Sequence, residues 1–401
     1  MVDDERRNEV EDELRRQAKK SFDTGMTAFR RGDYLEALSA LDDALELCQD
    51  ISDSECGQAD CLHSSGIVLG EMGDLREALG CYEQALVLYR EVPGNECGQA
   101  DCLYNSGVAL GGLGDSRGAS ECYERALILF QGVPDSECAQ AECLFNRGAM
   151  LNELGDWWGA LGCFEQSLTL FQGVPGSERE QADCLYGSGV SLSELGDCWG
   201  ALGYFDRALV LLDKGVVEAD WAEAERTGAR CLQGIGDCLV ELNEAVFPDH
   251  FARALEVFQR PEHVDHTKAD QASCLRSIGN GRSATGDLNG AVEAYQQAQD
   301  LYRQVGQPER ATEINVPLAR ALKRKAVAID SIFERLALLE ESLNLTIEAA
   351  LSLDRARFRL DRLDDRQRWF QAHARSTMDL ALDVAAELGR PHLISDLIAT
   401  W

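Results

Sequence analysis

The chain has 401 residues, 45% hydrophobic and 27% charged, the balance of an ordered, soluble protein rather than a disordered one. Acids outnumber bases 70 to 38, and the resulting formal charge of −32 disfavours nucleic acid and anionic membrane surfaces as partners. No apolar run approaches the roughly 18 residues that span a bilayer. The opening MVDDERRNEVEDELRRQAKK is too charged for a signal peptide, so a cytoplasmic location is expected.

From the N-terminus a repeat of about 41 residues dominates. Gly32-Asp33 opens the first recognisable turn, followed by GDLREALGCYEQALVLY at Gly73, GDSRGASECYERALILF at Gly114, GDWWGALGCFEQSLTLF at Gly155 and GDCWGALGYFDRALVLL at Gly196. A sixth copy is irregular over 231–262, where LNEAVFPDHF lengthens the turn, and a seventh returns at Gly286-Asp287. Each copy reads as two helices. Leu62, Gly66, Leu69 and Met72 share one helical face, as do Ala78, Leu79, Tyr82, Ala85 and Leu86 on the next.

The punctuation is consistent with this reading. Gly73 can close the first helix in the left-handed conformation, and Asp74 can cap the second, with Glu77 completing a capping box. Ser54, Asn95, Ser136 and Ser177 are expected to cap the first helices. Gly66, Gly107, Gly148 and Gly189 are expected to face the small Ala78, Ala119, Ala160 and Ala201. No single pair can bury its apolar face alone, so the pairs must stack into a solenoid over 1–305.

Ten of the fifteen cysteines fall in three series of the same period: Cys61, Cys102, Cys143 and Cys184; Cys81, Cys122 and Cys163; Cys56, Cys97 and Cys138. A disulfide framework pairs cysteines, whereas these repeat a small apolar residue. They are read as reduced thiols packed like alanine.

At the Gly-Asp turn, the small first-helix residue and the Ala-Leu, aromatic, Ala-Leu series, the chain resembles the tetratricopeptide repeat family. Its repeats exceed the usual length and resemble the extended variety of kinesin light chains. The resemblance implies an all-α, right-handed α-solenoid used chiefly to bind proteins, its first helices lining a concave surface. Here that surface is expected to carry Asp60, Asp101, Glu142 and Asp183, each one turn before His63, Tyr104, Phe145 and Tyr186. Asn152 and Glu194 lie beyond. These acids can equally be charges that favour a helix start, and the aromatics fillers between repeats. The Lys and Arg clamp by which some relatives hold a terminal carboxylate is absent, since no Lys lies between Lys20 and Lys214.

Trp158 and Trp199 follow the turns where other copies carry Leu35, Arg76 and Arg117, and mark either a second contact surface or a pair tucked under the adjacent turn. Residues 306–401 lose the repeat and read as a C-terminal helical extension, with one long helix over IFERLALLEESLNLTIEAALSL and a stop at Gly389-Arg390-Pro391. Arg355, Arg359, Arg362 and Arg366 share a face interleaved with Asp354, Asp361, Asp364 and Asp365, an ion-paired solvated helix. This extension also resembles the helices preceding CHAT protease domains in bacterial repeat proteins.

Chemistry is not indicated. His263 and His266 could contribute to a zinc site with His250 and Cys274, but loop histidines without fixed geometry are read as surface residues, and no metal is expected. Phosphate loops and cysteine-protease signatures are absent from the sequence. No cofactor and no catalysis are expected. The expected function is a non-catalytic interaction module binding a cationic or extended peptide segment, or else a sensor or scaffold subunit docking an effector through its C-terminal helices. The partner is a protein or peptide, basic in character, with self-association through the terminal repeats as a further expectation.

Overall fold

The computed structural model describes residues 2–215, 221–244, 247–260, 267–357 and 374–393, with no strand among them. His263, His266 and Arg359 to Arg366 lie outside the described residues. Contacts divide the chain into two compact units, Met1–Asp197 and Cys198–Trp401.

Unit 1 holds four complete helix pairs and the first helix of a fifth. They are α1 (Val2–Arg30) and α2 (Tyr34–Gln49), α3 (Glu55–Met72) and α4 (Leu75–Glu91), α5 (Glu96–Gly112) and α6 (Ser116–Phe130), α7 (Glu137–Glu153) and α8 (Trp157–Phe171), then α9 (Glu178–Glu194). Unit 2 contains α10 (Cys198–Gly215), α11 (Trp221–Glu241), α12 (Phe247–Phe258), α13 (Lys268–Thr285) and α14 (Leu288–Gln304). It ends with α15 (Pro308–Glu313), α16 (Asn315–Val327), the long α17 (Ile332–Arg357) and α18 (Arg375–Glu387).

The Gly-Asp turns form as their sequence requires. Gly32, Gly73, Gly114, Gly155 and Gly286 all have φ between 77° and 90°, a left-handed conformation that a Cβ would strain. The linkers contain a second left-handed series that the sequence reading did not identify: Asp53, Gly94, Asp135 and Gly176, with φ of 53°, 80°, 55° and 80°. Asp tolerates this region better than most residues, so it alternates with Gly there.

The capping box is not formed: Asp74 makes no side-chain cap bond. Asp115, Asp156 and Asp287 do cap, accepting from the amides of Gly118, Gly159 and Gly290. A Cβ at those glycines would sit 2.2–2.6 Å from the capping carboxylate, and Asp33 and Asp74, which have Glu36 and Glu77 at that place, do not cap.

The serines at the first-helix starts turn backwards instead of capping. Ser136 donates to the carbonyls of Phe130 and Val133 at 2.6 and 2.7 Å, and Ser177 to those of Phe171 and Val174 at 2.6 and 2.8 Å. Gln140 and Gln181 donate to the same serines at 2.9 and 3.1 Å. In unit 2, Thr267 and Gln271 both donate to Phe258. These clips satisfy the orphan carbonyls of a second helix and tie it to the next first helix.

The first-helix glycines face rings rather than alanines. A Cβ on Gly66 would meet Tyr82 at 2.5 Å, on Gly107 Tyr123 at 2.8 Å, and on Gly148 Phe164 at 3.0 Å. Gly236 with Phe251 and Gly279 with Tyr295 repeat the arrangement in unit 2. Each ring is buried, and burying one contributes about 1.5–3 kcal/mol.

None of the fifteen cysteines forms a disulfide. Cys61, Cys102, Cys143 and Cys184 are buried, as packing residues should be, but Cys56, Cys97 and Cys138 are exposed. Five residues along a helix turn a side chain by roughly 140°, so the two series occupy different faces.

Candidate functional site

In unit 1 the first helices touch one another, α1 with α3, α3 with α5 and α7 with α9. The residues expected to line a groove lie on these helices, and hydrogen bonds cross from each helix to the next. His63 Nε2 lies 2.8 Å from Asn105 Nδ2, and Asn146 Nδ2 donates to the Tyr104 hydroxyl at 3.0 Å. At the next step Phe145 offers no polar atom and the matching residue is Gly187, which packs on the Phe164 ring. His63, Tyr104 and Phe145 each stand against the second-helix ring of their own pair, with centroids 5.6–5.8 Å apart. His63 and Tyr104 are therefore held from two sides and Phe145 from one, and all three are half-buried.

The carboxylates beside it differ in their company. Asp60 accepts from the Tyr89 hydroxyl at 2.6 Å. Asp101 and Glu142 receive only weak thiol contacts, from Cys97 at 3.8 Å and Cys138 at 3.7 Å. Burial raises both thiols above their ordinary pKa, and the adjacent carboxylate raises them further, so the thiols stay neutral. Among the described residues no basic side chain pairs with Asp60, Asp101 or Glu142. Asp183 is different, pairing with Arg179 at 3.2 Å.

Burial pushes the Asp101 carboxyl up, against the opposing pull of His63 and the Cys97 contact. Burial pulls the His63 imidazole down, although Asp101 and Asp60 favour its charged form. A carboxylate that lacks a cation and a histidine too desolvated to supply one face each other across two repeats.

Two clefts result. Tyr104, Glu142, Phe145 and Asp183 line one of about 170 Å³ together with Asn146, Phe171, Arg179 and Glu180. Asp60 lines another, of about 340 Å³, with Arg15, Lys19, Phe22 and the apolar Ala18, Ile51 and Cys61. Tyr186 is half-buried on α9, and Glu194 is exposed at its end. Asn152 accepts from Ser191 at 2.9 Å and so serves repeat packing. Trp158 and Trp199 are 70% and 67% exposed, not tucked under a neighbouring turn.

Asn105, Asn146, Tyr89, Lys19 and Arg179 are residues of the site that the sequence reading missed. Subtracting one repeat from Asp60 gives Lys19, and subtracting one from His63 gives Phe22, a register that was available. The asparagines carried no such signal, because Ser64 and Gly187 occupy the same place in other copies.

The family model described as Tetratricopeptide repeat matches residues 23–91, 58–132 and 137–214. No curated protein matches the chain. Among solved structures, the apo form of RapI aligns with a TM-score of 0.58 at 17% identity, over 72% of this chain and 99% of its own. A Rap protein complexed with Competence and Sporulation Factor aligns at 0.53 and 15% identity, over 92% of this chain and 99% of its own. A tetratricopeptide repeat protein from Parabacteroides merdae aligns at 0.50 and 16%, over 75% and 98%. At these identities the likeness is one of fold.

Proposed function

We propose, from the match to the tetratricopeptide repeat family, whose fold is typical of interaction and scaffold proteins, that the first helices of unit 1 bind an extended, cationic peptide segment. The observation that carries this reading is the run of Asp60, Asp101 and Glu142, carboxylates without a basic partner among the described residues, beside the braced aromatic series His63, Tyr104 and Phe145. Clustered acids repel one another, and a cationic ligand relieves that repulsion. The aromatic edges add apolar contact and a face for an ammonium or guanidinium group. No group of three or more side chains able to hold a metal ion accompanies them among the described residues, and binding without chemistry is the role proposed. A Rap protein of the same fold was crystallised with Competence and Sporulation Factor, which supports ligand binding on such a scaffold.

The test is binding of labelled basic peptides to the full chain and to the triple variant Asp60→Asn, Asp101→Asn, Glu142→Gln. Binding should weaken about tenfold or more in the variant and lose most of its salt dependence. Equal affinity in both proteins would exclude the groove.

A second reading has its own observation. Ile332 and Phe333 at the start of α17 are 71% and 87% exposed, an apolar pair on the part of the chain set apart as the C-terminal extension. Under that reading an effector docks there, and Phe333→Asp would abolish partner recovery while leaving basic-peptide binding intact.

A further inference from the structure

The four groove acids are not equivalent, and Arg179 makes the difference. Reading back four residues from each groove carboxylate gives Cys56, Cys97, Cys138 and then Arg179, so the fourth copy substitutes a guanidinium for a thiol. The thiols lie beside Asp101 and Glu142 as neutral groups and leave their charge standing. Arg179 bonds Asp183 through Nη1 at 3.2 Å and Glu180 through Nη2 at 2.6 Å, with its side chain only 28% exposed. It also lines the cleft that holds Tyr104, Glu142 and Phe145. At the opposite end of the series the same register places Arg15 where the thiols fall and Lys19 where the carboxylates fall. Both line one cavity with Asp60.

We propose that Arg179 is a specificity-determining residue that ends the basic-reading tract of the unit 1 groove, so that the groove takes an extended peptide with basic side chains on three consecutive rungs, Asp60, Asp101 and Glu142. This rests on the reading of the groove given above. A ligand cation arriving at Asp183 must displace a guanidinium that is already seated there, and that guanidinium repels it on approach. A cation arriving at Asp60, Asp101 or Glu142 displaces nothing charged. Beyond Asp60 in the other direction, Lys19 is itself a cation. Affinity therefore grows with each basic side chain up to three and then stops.

Neighbouring first helices pack roughly 8–10 Å apart, and an extended polyproline II segment rises about 3.1 Å per residue with three residues per turn, so one basic residue in three meets successive rungs on a single face. The probes are capped peptides of two, three, four and five Lys-Gly-Ser units, measured by fluorescence anisotropy against the full chain at low salt. Wild-type affinity should rise from two to three units and then level off. Arg179→Cys, the residue of the other copies, should gain about threefold more at four units, the scale of one partly exposed ion pair. Adding Asp183→Asn to that variant should remove the gain. Arg179→Gln, which keeps a donor for Asp183 without the charge, should behave like Arg179→Cys and guards against misfolding of the latter.

Identical length dependence in wild type and both Arg179 variants overturns the role of Arg179 and leaves the groove reading standing. Failure of every protein to bind any of the series overturns the groove reading, and this inference with it.

Discussion

The first helices of the two units hold equivalent positions to opposite ends. In α3, α5 and α7 of unit 1 the groove positions present carboxylates with no basic partner among the described residues. In α11 and α13 of unit 2 the corresponding places hold Arg230, Gln233 and Asp237, then Ser273, Arg276 and Asn280. There the polar groups satisfy one another. Arg230 donates to Asp270 at 3.1 Å, Gln233 donates to Ser273 and Ser277 at 3.1 Å each, and Ser277 donates to Asp237 at 3.1 Å. One set of repeats thus closes its polar surface internally, while the other carries carboxylates with no basic partner among the described residues. A repeat scaffold separates these options because the packing that holds the helices together lies on a different face from the groove.

That separation can be broken by attacking the packing first, where both units should respond alike. Phe164 fills the space left by Gly148 and Gly187, and Phe251 that left by Gly236. Phe164→Ala and Phe251→Ala should each cost about 3–5 kcal/mol in urea denaturation. A small loss in either unit would mean that its repeats are not held by the ring-on-glycine contact.

The pH response should separate the units. Asp237 is pushed up to about 6 by burial, against hydrogen bonds from Ser277 and Gln233 and the nearby Arg276, with Glu241 adding to the rise. An acid raised in this way holds its proton more tightly when folded. Its contribution to stability is full below roughly pH 4 and is lost as the pH rises to about 6. Asp237→Asn should remove that slope and stabilise the protein at pH 7 by about 1–3 kcal/mol. His63 acts in the other direction. Its imidazole is held neutral by burial, so its contribution is full above the ordinary histidine pKa of about 6.5 and is lost as the pH falls below it. Proton NMR of His63 that shows a normal or raised midpoint would contradict its burial between Asp60 and Asp101.

Charge removal should give opposite signs. Arg230→Gln leaves Asp270 with a weakened set of partners and should destabilise by roughly 1–3 kcal/mol. The triple acid variant of unit 1 should be neutral or stabilising by roughly 0.2–1 kcal/mol per site, read as a rise in Tm. A loss of stability there would mean that the acids serve the starts of their own helices.

The smallest effects are expected at the exposed tryptophans and thiols. Trp158→Ala should change stability by within about 0.5 kcal/mol. Cys56, Cys97 and Cys138 should react with a thiol reagent faster than the buried series, and faster at pH 9 than at pH 7 because burial and nearby carboxylates hold them protonated. Reducing agent and chelator should leave Tm unchanged, since none of the fifteen cysteines forms a disulfide and no metal-holding cluster occurs among the described residues.

The sequence by itself determined the paired-helix character of the chain and its Gly-Asp turns. A 41-residue period repeats the same local instructions, and local instructions such as a left-handed glycine or a helical apolar stripe need no distant partner to be legible. It also placed the acid and aromatic series on the first helices. The tertiary structure decided what those residues meet. The serines were legible as helix starts, but their hydroxyls reach back to the preceding helix because that helix's carbonyls lie within bonding distance only after packing. The exposed and buried cysteine series look alike in sequence and differ by the helix face they occupy. The groove acids divide in the same way: Asp60, Asp101, Glu142 and Asp183 form one series by spacing, and the Arg179–Asp183 pair, four residues apart on one helix, is a local feature, whereas the Tyr89 hydroxyl reaches Asp60 only because packing brings a second helix against a first, and no repeat spacing specifies that contact.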